Sequence, residues 1–275
     1  MLRRLLSTAG LEFRIALRNR WVAMGAAMMV LFSLVLSAAG AAPAGGLAAD
    51  PLSVTVASLV SLAVYLVPLI ALLISFDAVA GEAERGTLPL HLTYPLSRWE
   101  LLLGKLLAQL GVVVLAVLAG YAAAAAMAFA TGGLRAAEGL AALWRLTWTS
   151  ALLGAAFLSL GHAVSALSRR ASGAAALAIG LWLVMIVLYD LGLLAAIMAD
   201  DGGRFTTQVF PWALVLNPAD AFRIFNLAAS EAVDAASGLA GAASSIAIWK
   251  PLASLILWPV LAAGLARLSL ARVMP

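Results

Sequence analysis

The chain has no cysteine, and so no disulfide, no zinc–thiolate centre and no thiol nucleophile. That absence says nothing about redox compartment. Charge is scarce as well: 11% of the 275 residues are charged and 64% are hydrophobic. A soluble domain carries roughly a quarter charged residues. Such a chain cannot cover itself with hydrated surface, so its solvent is lipid. A phosphate-cradling loop is also missing. Gly104-Lys105 follows Leu101-Leu102-Leu103 rather than the glycine-rich run of GxxxxGK[ST]. Any nucleotide-driven work therefore draws on another chain. The net charge of +4 is small, and no nucleic-acid partner is expected.

What is there is apolar sequence in long runs. Six windows are long enough to cross a bilayer as helices: 21–42, 53–76, 106–130, 140–167, 172–199 and 251–268. Backbone in lipid must satisfy its own hydrogen bonds, so the expected fold class is an all-α membrane protein. The last window is the shortest and contains Pro259. Basic residues set the orientation. Twelve lie on one side: Arg3, Arg4, Arg14, Arg18, Arg20, Arg85, Arg98, Lys105, Arg169, Arg170, Arg267 and Arg272. Five lie on the other: Arg135, Arg145, Arg204, Arg223 and Lys250. The bias puts both termini and segment 77–105 in the cytoplasm.

Residues 1–20 read as an amphipathic helix. Leu2, Leu5, Leu6, Ala9, Phe13, Ala16 and Leu17 share one face at helical spacing, and Arg3, Arg4, Ser7, Thr8, Arg14 and Arg18 the other, broken by Leu11 and Ile15. An interfacial helix under the membrane is the expectation. A cleaved signal peptide is rejected, because the following apolar run of about twenty residues exceeds the 7–15 of such a signal.

Two external connections are short. The third, 200–250, is long and holds F-P-W-A-L-V-L-N-P-A-D-A-F-R-I-F-N-L. Long loops without regular structure are uncommon unless functional. Pro211 and Pro218 punctuate it, Asn217 or Asp220 can cap a helix, and Phe222, Ile224, Phe225 and Leu227 need burial. Short re-entrant helices are expected here. No inverted repeat of the secondary-transporter kind is visible.

Segment 77–105 is a polar island between apolar runs. It contains Glu82-x-Glu84-Arg85-Gly86-Thr87-Leu88, Tyr94-Pro95-Leu96-Ser97-Arg98 and Leu101-Leu102-Leu103-Gly104-Lys105. This pattern resembles the cytoplasmic loop of ABC-2-type ABC transporter permeases, a type V exporter-like fold. Further pieces are Leu17-Arg18-Asn19-Arg20-Trp21, Val56-Ala57-Ser58-Leu59, the run Pro68–Leu73, Asp77-Ala78 with Gly81-Glu82, Tyr189-Asp190-Leu191, Pro211-Trp212 and Leu216-Asn217-Pro218-Ala219-Asp220. Together they resemble the branch that serves maturation of periplasmic nitrous oxide reductase. The resemblance covers nearly all of the chain.

The resemblance implies a homodimer, two cytoplasmic ABC ATPase subunits carrying ATP and magnesium, and a periplasmic copper-binding β-helical partner. This chain would bind no cofactor itself. It also implies a multi-pass subunit of the bacterial inner membrane, without enzyme activity of its own, in a complex that helps install copper–sulfur centres. An ABC-2 exporter of another substrate, or an ATPase-independent scaffold or secondary transporter, are the rival readings. Glu82, Glu84, Arg85, Gly86, Thr87, Leu88, Tyr94, Pro95 and Arg98 are the expected ATPase-coupling residues. Thr87 could cap a turn, and Pro95 would end it.

Asp190 is the only ionisable residue well inside an apolar window. A charge at that depth costs about 2.5–3.5 kcal/mol on insertion scales, so it needs a partner or a wet cavity. It reads either as a lumen or gate residue, with Asn217, Pro218 and Asp220, or as a hydrogen-bonded Asp near the interface. Met24, Met28 and Met29 cluster on the first window. Thioethers suit Cu(I), but methionines at helical spacing more often fill packing gaps. His91 and His162 lie on different segments, so no metal centre is expected.

Overall fold

The computed structural model describes residues 2–40, 51–87, 97–227 and 246–272. Every regular element among them is helical, as backbone in lipid requires. Five helical runs are long and apolar enough to cross a bilayer: Arg20–Ala39, Leu52–Glu84, Trp99–Leu167, Ala171–Asp200 and Trp249–Leu270.

Helix α1, Leu2–Leu17, gives way at Arg18-Asn19 to α2, Arg20–Gly40. Asn19 makes the break, because its Oδ1 accepts the Trp21 N–H at 2.9 Å and so caps α2. On α1, Phe13 and Ala16 pack inward while Leu11 and Ile15 stay exposed.

Helix α3, Pro51–Ser75, is the most enclosed span. Leu59, Val60, Ala63, Val67 and Ala71 are fully buried along it. Pro68 removes a backbone donor inside it. In the turn before that proline, the Tyr65 carbonyl accepts the Trp182 indole N–H at 3.1 Å. A break at Phe76 separates α3 from the short α4, Asp77–Glu84.

Helix α5, Arg98–Gly132, begins inside the segment read as a connection to Lys105. A capping box starts it: Ser97 Oγ accepts the Glu100 N–H at 3.1 Å, and Glu100 Oε2 accepts the Ser97 N–H at 2.9 Å. A 3₁₀ turn, Gly133–Gly139, leads to α6, Leu140–Leu167, which packs back along α5. The single apolar run Trp99–Leu167 is thus two helices side by side. Gly133 at φ 59° opens the turn, a conformation that glycine alone adopts cheaply.

Helix α7, Ala171–Trp182, continues through a π-helical stretch, Leu183–Leu188, into α8, Tyr189–Asp200. This run is the least enclosed of the five. A second π turn, Phe205–Val209, leads to α9, Phe210–Leu216, and α10, Pro218–Leu227. Phe222, Ile224 and Phe225 are buried, and α10 is wedged among α3, α6 and the last helix. That last helix, α11, Trp249–Arg272, packs along α6 through Leu255, Ala262 and Ala266.

The helices alternate in direction, so one end collects the turns at 18–20, 76–87 and 167–171 and the C-terminal part of α11. Arg267 lies 5.4 Å from the Trp99 ring there. This is the basic end. Close approach is built in at its rim, where a Cβ on Gly161 would fall 1.8 Å from Ser75 Oγ. The α6 backbone therefore sits against the end of α3.

Candidate functional site

Two polar constellations stand out against the apolar bundle. The first is at the basic end, around α4. The N–H groups of Val79 and Ala80 both donate to Ser165 Oγ on α6, at 3.0 and 2.9 Å. Val79 lies in the first turn of α4, where an N–H has no helical acceptor, and a hydroxyl from another helix supplies one, shared with Ala80.

Lys105 on α5 is 4% exposed and pairs with two carboxylates. Glu12 on α1 lies 2.9 Å from its Nζ, and Glu82 on α4 is still closer. A buried ammonium needs such partners, so the three elements are tied at one point. One turn on, Gln109 Nε2 donates to the Ile74 carbonyl at 3.3 Å.

Glu84 Oε2 accepts the Ala171 N–H at 2.9 Å. This is a cap for α7 supplied from α4, and it places negative charge where the helix dipole favours it. Arg85 pairs with Asp77 at 3.2 Å, and both are well exposed. Gly86 adopts φ 70°, and Thr87 N–H closes onto the Glu82 carbonyl at 2.9 Å. A cavity of about 320 Å³ is lined here by Glu12, Arg18, Asp77, Glu82, Arg85 and Lys105, among others.

Of the expected coupling residues, Glu82, Glu84, Arg85, Gly86 and Thr87 therefore fall together. Glu82 is largely covered where it meets Lys105, while Glu84 caps α7 from an exposed position. Arg98 is the first residue of α5. Leu88, Tyr94 and Pro95 lie outside the described residues, as does His91.

The second constellation is in the opposite half. Arg223 on α10 donates to Asp190 Oδ2 on α8 at 2.9 Å and contacts Asp220 Oδ1 at 3.1 Å. Asp220 is 1% exposed. Its carboxyl is raised from the usual range, first by burial and then by the neighbouring Asp190, while Arg223 opposes the shift. The α9–α10 corner is held by Asn217, whose Nδ2 donates to the Met185 carbonyl at 2.7 Å and whose Oδ1 accepts the Ala219 N–H at 3.0 Å. Pro218 starts α10, where its missing N–H costs nothing. Met185 belongs to the π stretch, so the corner reaches the middle of the α7–α8 run. At the other end of α10, Asn226 Nδ2 donates to Thr149 at 3.0 Å.

Asp190, Asn217, Pro218 and Asp220 thus share one region, as the lumen or gate reading requires of them. Arg223 and Ser165 were not anticipated. Arg223 could have been: it stands three residues after Asp220, one turn away on a helix. Nothing local marks Ser165, whose partners lie 85 and 86 residues away.

The methionines diverge. Met29 is fully buried against Gly120, while Met24 is half exposed. His162 is fully buried, with Nδ1 on the Leu158 carbonyl at 2.8 Å. Among the described residues no group of three metal-ligating side chains assembles.

The family model described as "ABC-2 family transporter protein" matches residues 6–273. The chain belongs to that family. It is 42% identical over 252 residues to a "Probable ABC transporter permease protein NosY" of Pseudomonas aeruginosa, covering 91% of this chain and 90% of that protein. A protein of the same description from Stutzerimonas stutzeri is 38% identical over 248 residues, covering 90% and 88%. This ABC-2 permease is therefore a multi-pass membrane component of an ABC transporter, similar to those two chains.

Proposed function

We propose that this permease works as a homodimer in the bacterial inner membrane, driven by two cytoplasmic ABC ATPase subunits. It would serve assembly of the copper–sulfur centres of periplasmic nitrous oxide reductase, with a copper-binding β-helical protein as the periplasmic partner. In this reading each subunit crosses the bilayer six times, since α5 and α6 are each long enough to span. The basic end faces the cytoplasm, both termini with it, and α1 lies at the lipid interface. The NosY description shared by the two relatives supports the choice of branch.

The observation that carries the mechanism is the internal clamping of α4. A push delivered to 82–98 meets a turn fixed to α1 and α5 by Lys105, to α6 by Ser165 and to α7 by Glu84. It can therefore move helices as bodies rather than bend a loop. The α7–α8 run then leads to Asp190, ion-paired to the re-entrant α10. Asp190, Asn217, Pro218 and Asp220, with Arg223, would form the gate that responds in the opposite half.

Purification in mild detergent, with identification of every co-eluting chain, tests this reading. Two copies of the permease with two ATPase chains are expected. Labelling single cysteines at 86 or 90 from the periplasm in intact cells, or full activity without an ATP-hydrolysing companion, would overturn it.

A further inference from the structure

At the end of the bundle opposite the basic end, two cavities meet. One, of about 340 Å³, is lined by Thr207, Gln208, Pro211, Trp212, Val215, Ile246 and Lys250. The other, of about 320 Å³, runs down α11 between Leu216, Ala253, Leu257, Trp258 and Leu261. Both share Trp212, Val215 and Lys250. The first offers a carboxamide and an ammonium, the Thr207 hydroxyl being spent on the Gly203 carbonyl at 2.9 Å, and the second is walled almost wholly by hydrocarbon and indole. Lys250 stands at the boundary, its Nζ 4.4 Å from the centre of the Trp212 ring, a cation–π contact that fixes it over the junction.

Three features make this pair more than an apolar groove. Among the described residues no carboxylate is within ion-pair distance of Lys250. Lys250 sits in the first turn of the 24-residue α11, where the helix dipole adds positive potential. Trp212 and Trp249 are 56% and 63% exposed, the placement of indoles at a headgroup boundary. The combination is a cationic, hydrogen-bonding chamber opening onto an apolar slot.

We propose that the joined cavities are a site for an anionic phospholipid of the surrounding leaflet. Its headgroup phosphate pairs with Lys250 and takes a hydrogen bond from the Gln208 carboxamide. One acyl chain lies along Leu257 and Leu261 between Trp212 and Trp258. The bound lipid bridges α9 and α11, which already touch through the Trp258 indole N–H on the Leu216 carbonyl at 2.7 Å. It therefore braces the re-entrant hairpin from the lipid side.

Native mass spectrometry of the full-length permease, purified from a one-to-one mixture of phosphatidylglycerol and phosphatidylcholine, reads the site. Wild type should retain the anionic lipid preferentially. K250Q should lower that preference about fivefold, the weight of one basic residue beside an anionic headgroup, and K250R should keep it. A253F, which fills the apolar slot, should reduce retention of both lipids, with gel filtration confirming that the variant is folded. Retention indifferent to headgroup charge in wild type, or unchanged preference in K250Q, overturns the proposal. So does displacement by soluble glycerol phosphate at the lipid's own concentration, which would make the site one for a free anion.

Discussion

Glu84 on α4 caps the first turn of α7 by accepting the Ala171 N–H at 2.9 Å, across 87 residues of sequence. Glu84 is thus tied to another helix although it is exposed, whereas its likewise exposed neighbour Arg85 pairs within its own short helix segment, with Asp77. The two make separable predictions. Arg85→Ala should weaken ATPase co-purification with little change in melting temperature, because an exposed ion pair contributes little to stability. Glu84→Ala should lower both, and Glu84→Gln should recover the melting temperature by keeping an acceptor oxygen. Pull-down yield and detergent thermal shift, measured together, check this. Equal melting temperatures for all three would remove the cap from the account.

The spans are legible because lipid demands long apolar runs, whereas the apolar window puts the start of α5 at 106 although the Ser97–Glu100 capping box carries a local signature for a start at Arg98. Burial of Phe222 and Phe225 follows from the same demand on apolar residues in a polar-looking loop. Pairings between helices do not follow. The burial of Glu82 and the capping role of exposed Glu84 are illegible because their partners, Lys105 and the Ala171 amide, are 23 and 87 positions away. The partner of Asp190 was hidden for the same reason, although Arg223 lies within one turn of Asp220. Fold class is written in periodicity and composition, whereas the wiring is written in tertiary geometry.

Ser165→Ala should destabilise the subunit although the residue is small. Removing the hydroxyl leaves the Val79 N–H, in the first turn of α4, without an acceptor. A buried donor so orphaned costs about 1–3 kcal/mol. Ser165→Thr keeps the oxygen and should lie nearer wild type. Thermal unfolding followed by tryptophan fluorescence distinguishes them, and an alanine variant as stable as wild type would refute the capping role.

Removing Arg223 should be worse than removing the whole cluster. Arg223→Met leaves Asp190 and buried Asp220 facing each other without a cation, and breaking a buried pair from one side costs about 3–5 kcal/mol. The triple change Asp190→Asn, Asp220→Asn, Arg223→Met removes all the charge and should recover much of the loss. Monodisperse yield after solubilisation orders the variants: single below triple, triple near wild type. A triple variant no better than the single would mean that these side chains act independently.

The Lys105 clamp gives a functional prediction. Its ammonium joins α1, α4 and α5 through Glu12 and Glu82, so it is where force on the turn would be shared among helices. Lys105→Met leaves two carboxylates facing a hydrophobic stem, and α4 should loosen from α1 and α5. Because exposed Arg85 is untouched, the ATPase should still bind. ATP hydrolysis should then persist while the transporter's output falls, a split between binding and coupling. Adding Glu12→Gln and Glu82→Gln removes the stranded charges and should restore stability, but not coupling, since the link itself is still gone. Co-purification, ATPase rate and maturation of the target enzyme in cells, measured on both variants, check each step. Loss of ATPase binding in Lys105→Met, or normal output from the triple variant, would show that the clamp only holds the fold together.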